Sequence, residues 1–306
     1  MCESDRRTVL VALWRMSRPA QIALIGLVYA LGVSMALGRG ATVDLANVGI
    51  GLAALVSVAA SVHYANEYAD AETDALTDRT PFSGGSGALA ETGLQRRLAL
   101  CAAVASAAIG LLLLAWAASP LGGRPLSTVH AVLLGGILLV GWQYSVGPLR
   151  LAWRGFGEIT NAALGGIALP LYGFAVVAGE LTLDAALATV PFALVVFVNL
   201  LETQWPDRRA DAAVGKQTLA TRWSPRRLRA VYGLVSLAAA GSGVALAGRV
   251  LPSVVVVGTL VPMVGLVPGY RRFTRREEPL PAVATMVVTA ATTTVAWGAV
   301  AAGLVG

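Results

Sequence analysis

The sequence predicts an all-α protein, a polytopic membrane bundle of nine transmembrane helices. Three observations predict it. Of 306 residues, 56% are hydrophobic and 13% charged, with a mean hydropathy of +0.70; a soluble domain carries roughly a quarter charged residues. The apolar residues fall in runs of about 17–24, the length at which a helix crosses a bilayer core. The basic residues alternate between dense and sparse connections, as expected of a chain threaded back and forth through a membrane. The length suits one bundle, so residues 1–306 are read as a single domain, with residues 1–18 a polar amino-terminal tail.

The nine apolar segments run from Pro19 to Leu37, Leu45 to Asn66, Leu98 to Ala118, Ser127 to Tyr144, Ile159 to Val177, Ala185 to Leu201, Leu228 to Leu246, Leu251 to Pro268 and Pro281 to Leu304. Ala and Gly recur in all of them, which suits spans that pack closely through small residues. Twenty of the 23 basic residues lie in the amino-terminal tail and in the connections after the second, fourth, sixth and eighth segments, and the opposite connections hold only Arg39, Arg124 and Arg249. By the positive-inside rule the first set is cytoplasmic, so the amino terminus is expected inside and the carboxyl terminus outside. The net charge of +6 is therefore a topology signal. A nucleic-acid partner is not expected, because no basic patch is interleaved with base-stacking aromatics. Met1 to Arg18 lacks the pattern of a cleaved signal and is expected to be retained. Cys2, in the tail, and Cys101, in an apolar run, are not expected to pair.

Two cytoplasmic connections are long, Glu67 to Arg97 and Glu202 to Arg227, and together they hold nine of the 17 acidic residues. Long connections in compact proteins are usually functional or disordered. The first opens on Asn66, Asp70 and Asp74, four residues apart and so on one face of a helix. Asp207 and Asp211 repeat that spacing after the sixth segment. Like charges at this spacing repel unless a cation lies between them. Two such sets at equivalent places on one membrane side point to hard divalent cations: Mg2+ takes oxygen ligands and commonly shares its shell with phosphate. Arg79, Arg150, Arg154, Arg208 and Lys216 suit the oxygens of such a phosphate, and an apolar bundle behind them suits a hydrocarbon tail. The expected ligand is an isoprenyl diphosphate, its head at the cytoplasmic rim and its chain among the helices.

These motifs resemble those of the UbiA superfamily of intramembrane prenyltransferases, closest to its menaquinone-type (MenA-like) members. Asn66-x-x-x-Asp70-x-x-x-Asp74 resembles the first family motif and Asp207-x-x-x-Asp211 the second. Asp78-Arg79-Thr80-Pro81-Phe82-Ser83-Gly84-Gly85-Ser86-Gly87 is similar to the loop after the first motif. Tyr144-Ser145-Val146-Gly147-Pro148-Leu149-Arg150 and Arg154-Gly155-Phe156-Gly157-Glu158 resemble the central loop of menaquinone-type members, and Gly215-Lys216-Gln217-Thr218-Leu219 the later part of their second loop. The sequence departs at Thr203-Gln204-Trp205, where related members often carry Asn-Glu, a change that bears on the second metal shell or the acceptor pocket.

The resemblance implies a nine-helix UbiA-like bundle that transfers a prenyl group from its diphosphate to an acceptor, commonly aromatic, with Mg2+ as cofactor. Asn66, Asp70, Asp74, Asp207 and Asp211 are the expected metal ligands, the four aspartates being the catalytic set. Asn66, Arg79, Tyr144, Arg150 and Lys216 are the expected substrate-binding residues. Tyr68, Tyr144 and Trp205 are candidates to face an allylic cation, although aromatics at an interface are also simple anchors. Glu67 is a candidate base for the acceptor, Glu72 points away from the motif, and His63 reads as a neutral histidine bonded to a neighbouring helix. His130 reads as interfacial. Two functional readings share the metal site: transfer to an aromatic acceptor, and cyclisation of the prenyl chain on itself. A transporter would place charges at mid-membrane, whereas here the carboxylates gather at one rim.

Overall fold

A computed structural model describes residues 3–76, 85–119 and 128–305 of the chain. Among these residues there is no β-strand, and nine helical stretches are long and apolar enough to span a membrane. They are α2 (Pro19–Gly38), α3 (Leu45–Asp74), α5 (Arg97–Ala118), α6 (Thr128–Ser145), α7 with α8 (Gly157–Ala163 and Leu169–Ala178), α9 (Leu183–Gln204), α12 (Pro225–Ala245), α13 with α14 (Ser253–Leu260 and Leu266–Arg272) and α15 (Leu280–Ala301). Each overlaps the apolar segment expected from the sequence. The chain is an integral, multi-pass membrane protein. Its lipid-compatible surface shows in exposed side chains such as Leu112, Val132, Leu139, Leu234, Leu237 and Val295.

Helix ends follow local chemistry. The side chains of Asp44, Thr182 and Ser224 accept hydrogen bonds from backbone N–H groups at the starts of α3, α9 and α12, filling donors that a helix start leaves unpaired. Two spans are broken. The fifth passes through a π-helical stretch, Leu164–Ala168, ahead of Pro170 at the start of α8. The eighth passes through a 3-10 stretch, Val261–Gly265, at Pro262. Proline lacks an N–H and disturbs the regular helical ladder.

The core centres on α2, α3, α8 and α9, with Tyr29, Leu55, Tyr172, Phe174, Val195 and Leu201 buried in it. Helices α2 and α8 touch backbone to backbone: a Cβ on Gly32 would overlap the Pro170 carbonyl oxygen, and one on Gly173 would overlap the Tyr29 carbonyl. Small residues permit this approach. Gly32→Ala is expected to destabilise the bundle by about 1–3 kcal/mol, as overpacking does, seen as a lowered unfolding temperature in detergent.

The sequence missed one element. The amino-terminal tail forms α1 (Glu3–Met16), with Ala12 and Met16 buried against Ala88 and Ala99 in a small second core that also takes in Leu13, Tyr64, Tyr68 and Leu89. That core joins α1 to the short α4 (Ala88–Thr92) and to α5. His130, expected at an interface, is buried, and its Nε2 donates to the Ala175 carbonyl at 2.8 Å. Cys101 is exposed on α5, while Cys2, Arg79 and Gly84 lie outside the described residues.

Candidate active site

With 30 residues, α3 is about 45 Å long, longer than the ~30 Å hydrocarbon core. Its last turns therefore project past the apolar layer and carry Asn66, Asp70 and Asp74 on one face. Three other elements reach this end of the bundle. One is the 3-10 turn Leu151–Arg154 that follows α6 and leads to α7. The others, α10 (Arg208–Ala213) and α11 (Leu219–Arg222), follow α9. Helix α10 packs against α3, which brings the second Asp pair beside the first.

Lys216 joins the two motifs. Its Nζ lies 3.6 Å from Asp70 Oδ2 and 3.4 Å from Asp211 Oδ1. The backbone fixes it there: Lys216 N–H donates to the Asp211 carbonyl at 2.8 Å and Gln217 N–H to the Trp153 carbonyl at 3.1 Å. Two residues on, Leu219 N–H donates to the buried carboxylate of Glu158 at 2.8 Å. The central loop thus holds the segment that follows the lysine. Burial works against the charged ammonium, but the Asp70 and Asp211 carboxylates outweigh it, and the Lys216 pKa is raised. Burial likewise raises the Asp211 pKa, and Lys216 offsets part of that rise.

The oxygen set fits a hard cation. Asn66 Oδ1 and Asp70 Oδ1 are shut off from solvent and accept no hydrogen bond among the described residues, a costly state for a buried acceptor that a metal would relieve. Among the described residues no three His, Cys, Asp or Glu side chains form a compact cluster; an ammonium, not a cation cage, bridges Asp70 and Asp211. Asp74 is half-buried at the end of α3, with Gly85 directly against its carboxylate. Asp207 is half-buried at the start of α10.

Tyr144 reaches the start of α7, where a Cβ on Gly157 would lie 3.4 Å from its hydroxyl, and it interacts electrostatically with Lys216. Arg150 is exposed and stacks over Trp153 at 4.1 Å, and Lys216 Nζ lies 5.9 Å from the same ring. Trp153 is not among the residues expected from the sequence, where its one cue is its place between Arg150 and Arg154. Arg154 is exposed. Arg208 is turned away to Glu277 Oε1 at 2.8 Å and lies over Trp205 at 3.8 Å. Trp205 is buried edge-on to Phe273, and Tyr68 sits in the second core under Arg96. Of the three candidate aromatics, Tyr144 is the one beside Lys216.

At the departure from the family pattern, the Thr203 hydroxyl donates back to the Leu200 carbonyl, while Glu202 accepts from Ala282 N–H at 3.1 Å. Glu72 is exposed beside Arg96. His63 Nδ1 donates to the Ser17 carbonyl at 2.8 Å, so it serves the α1–α2 junction. Glu67 is buried, and Arg18 and Ser86 occupy its carboxylate, which leaves it poorly placed to act as a base.

A profile of the UbiA prenyltransferase family matches residues 26–290. The chain belongs to the UbiA family. It is a prenyltransferase. This UbiA-family member is 26% identical over 291 residues to 1,4-dihydroxy-2-naphthoate octaprenyltransferase of Bacillus subtilis (strain 168), covering 92% of this chain and 88% of that protein. Its fold is similar to that of a UbiA homolog from Archaeoglobus fulgidus bound to GPP and Mg2+, with a TM-score of 0.71 at 18% identity over 95% of this chain and 99% of that one. The same homolog bound to DMAPP and Mg2+ aligns with a TM-score of 0.70 at 19% identity, with the same coverage.

Proposed function

We propose that this enzyme transfers a prenyl group from an isoprenyl diphosphate to an aromatic acceptor of the quinone-precursor type, with Mg2+ as cofactor and diphosphate as leaving group. The observation that carries this reading is the Lys216 ammonium held between Asp70 and Asp211, which makes one charged site of two distant motifs. The naphthoate prenyltransferase relative and the Mg2+-bound homologous fold support it. The dense basic residues of the connections that carry the motifs favour a site on the cytoplasmic side.

Asn66, Asp70, Asp74, Asp207 and Asp211 would hold Mg2+, which supplies Lewis-acid stabilisation of the leaving diphosphate. Lys216 binds phosphate oxygens from its place between Asp70 and Asp211, and Arg150 approaches from the central loop, with Arg79 as a third cationic contact. The allylic C–O bond breaks and its electron pair leaves with the diphosphate. An electron-rich ring carbon then bonds to the allylic carbon, and the ring regains aromaticity by releasing from that carbon a proton or, where it carries a carboxylate, carbon dioxide. The Tyr144 ring would face the developing cation. The apolar bundle limits water at that carbon.

Purified protein with Mg2+ and geranyl or octaprenyl diphosphate is expected to consume the diphosphate only when 1,4-dihydroxy-2-naphthoate or a similar ring is added, giving a prenylated ring by mass spectrometry. A cyclic hydrocarbon formed without any acceptor would replace this reading with a terpene cyclase.

A further inference from the structure

Glu67 lies seven residues before Asp74 and so on the same side of α3, and among the described residues it is the most fully bonded carboxylate at this end of the bundle. It is 3% exposed. Its Oε1 accepts from Arg18 Nε at 3.0 Å, from Arg18 Nη2 at 2.7 Å and from Ser86 N–H at 2.9 Å, and its Oε2 accepts from the Ser86 hydroxyl at 2.5 Å. Arg18 sits at the α1–α2 junction in a left-handed backbone conformation, φ 55°. A non-glycine residue bears a cost there that its surroundings must over-determine. A second charged contact lies beside the first: Arg15 donates to Glu91 at 2.7 and 2.9 Å and to the Ser86 carbonyl at 3.0 Å. Residues 86–91 are therefore bound to α1 and α3 at two points.

The residue before Ser86 carries the consequence. Gly85 has φ +62°, and a Cβ there would overlap Asp74 Oδ2. Fixing Ser86 thus fixes the backbone that walls one side of the Asp74 carboxylate. The arrangement has little role in packing the main core, since α1 joins only the small second cluster. A buried ion pair also contributes little net stability compared with apolar packing. Its geometric effect falls on Asp74.

We propose that Arg18, Glu67 and Ser86 form a latch that positions Asp74 for metal and diphosphate binding, with Glu67 a positioning residue and not a base. This rests on the prenyl-diphosphate reading above. Groups that orient metal ligands typically contribute about 10–100-fold to metal affinity.

The test uses full-length wild type, Ser86→Ala, Glu67→Gln and the double variant, with two readouts. In the ligand-free protein, hydrogen exchange across residues 85–91 is expected to rise in each variant. In calorimetry with a non-hydrolysable geranyl diphosphate analogue, the Mg2+ needed for half-maximal binding is expected to rise about tenfold or more. The double variant should resemble Glu67→Gln alone, because both changes break one latch. Ser86→Ala keeps the Arg18–Glu67 pair, so a folding failure of Glu67→Gln does not remove the test. Unchanged exchange in Ser86→Ala overturns the latch. Raised exchange with wild-type Mg2+ dependence overturns the positioning role. A wild type that binds no prenyl diphosphate, with exchange still raised in the variants, overturns the functional reading and leaves the latch standing.

Discussion

Asp70→Asn is expected to reduce prenyl transfer by on the order of a thousandfold or more, with no recovery at high Mg2+, while the bundle stays folded. The two oxygens of Asp70 have different situations. Oδ2 lies 3.6 Å from Lys216, and Oδ1 is buried and accepts no hydrogen bond among the described residues. Asparagine keeps the shape and one oxygen but removes the negative charge that a hard cation requires. The fold should survive because Lys216 retains Asp211 at 3.4 Å and no core side chain changes. Asp207→Asn should behave alike, since it removes one charge from the second motif. Turnover across a wide Mg2+ range, with circular dichroism on the same samples, checks both. Full activity in either variant would remove that residue from the site.

Much of the fold was legible in the sequence because two independent signals agree, span-length apolar runs and alternating basic connections. The pairing of motifs was legible for a similar reason. Four-residue spacing places carboxylates on one helix face, equivalent sets after the second and sixth spans fall at one end of the bundle, and the packing of α10 on α3 brings them together. What stayed hidden depends on contacts between distant segments. Helix α1 has a sequence too polar to announce itself, and it is held by Ala12 and Met16 against Ala88 and Ala99. Glu67 reads as a free carboxylate until Arg18 is seen to reach it from the α1–α2 junction. The aromatics show a different failure. Tyr68 is two residues from Asp70, about 200° around a helix, so nearness in sequence placed it on the wrong face. Trp153 stands beside Lys216 because the central loop folds back through the Gln217–Trp153 hydrogen bond, a contact that no local pattern encodes.

The other large effect is expected at Lys216, where the variant to make is Lys216→Met. Its Nζ is shared by two carboxylates that are themselves largely buried, Asp70 with 14% and Asp211 with 3% of the side chain exposed. Removing one partner from a buried ionic group leaves the remaining charges uncompensated, at a cost of about 3 kcal/mol or more. The metal-free variant should therefore unfold at a lower temperature than wild type. Mg2+ should act oppositely on the two proteins. In wild type a divalent cation competes with the ammonium for Asp70 and Asp211. In the variant nothing competes, and the cation restores the missing charge. The rise in unfolding temperature on adding Mg2+ should thus be larger for Lys216→Met than for wild type, because a ligand that binds only the folded state stabilises it by mass action. Metal alone does not replace the lysine as a phosphate contact, so the KM for prenyl diphosphate should stay high even where stability is restored. Separating the two outcomes distinguishes a lysine that only balances charge from one that also binds the substrate. A Lys216→Met enzyme with wild-type KM would restrict the residue to the first role, and one with an unchanged unfolding temperature without Mg2+ would show that the ammonium does not hold the two motifs together.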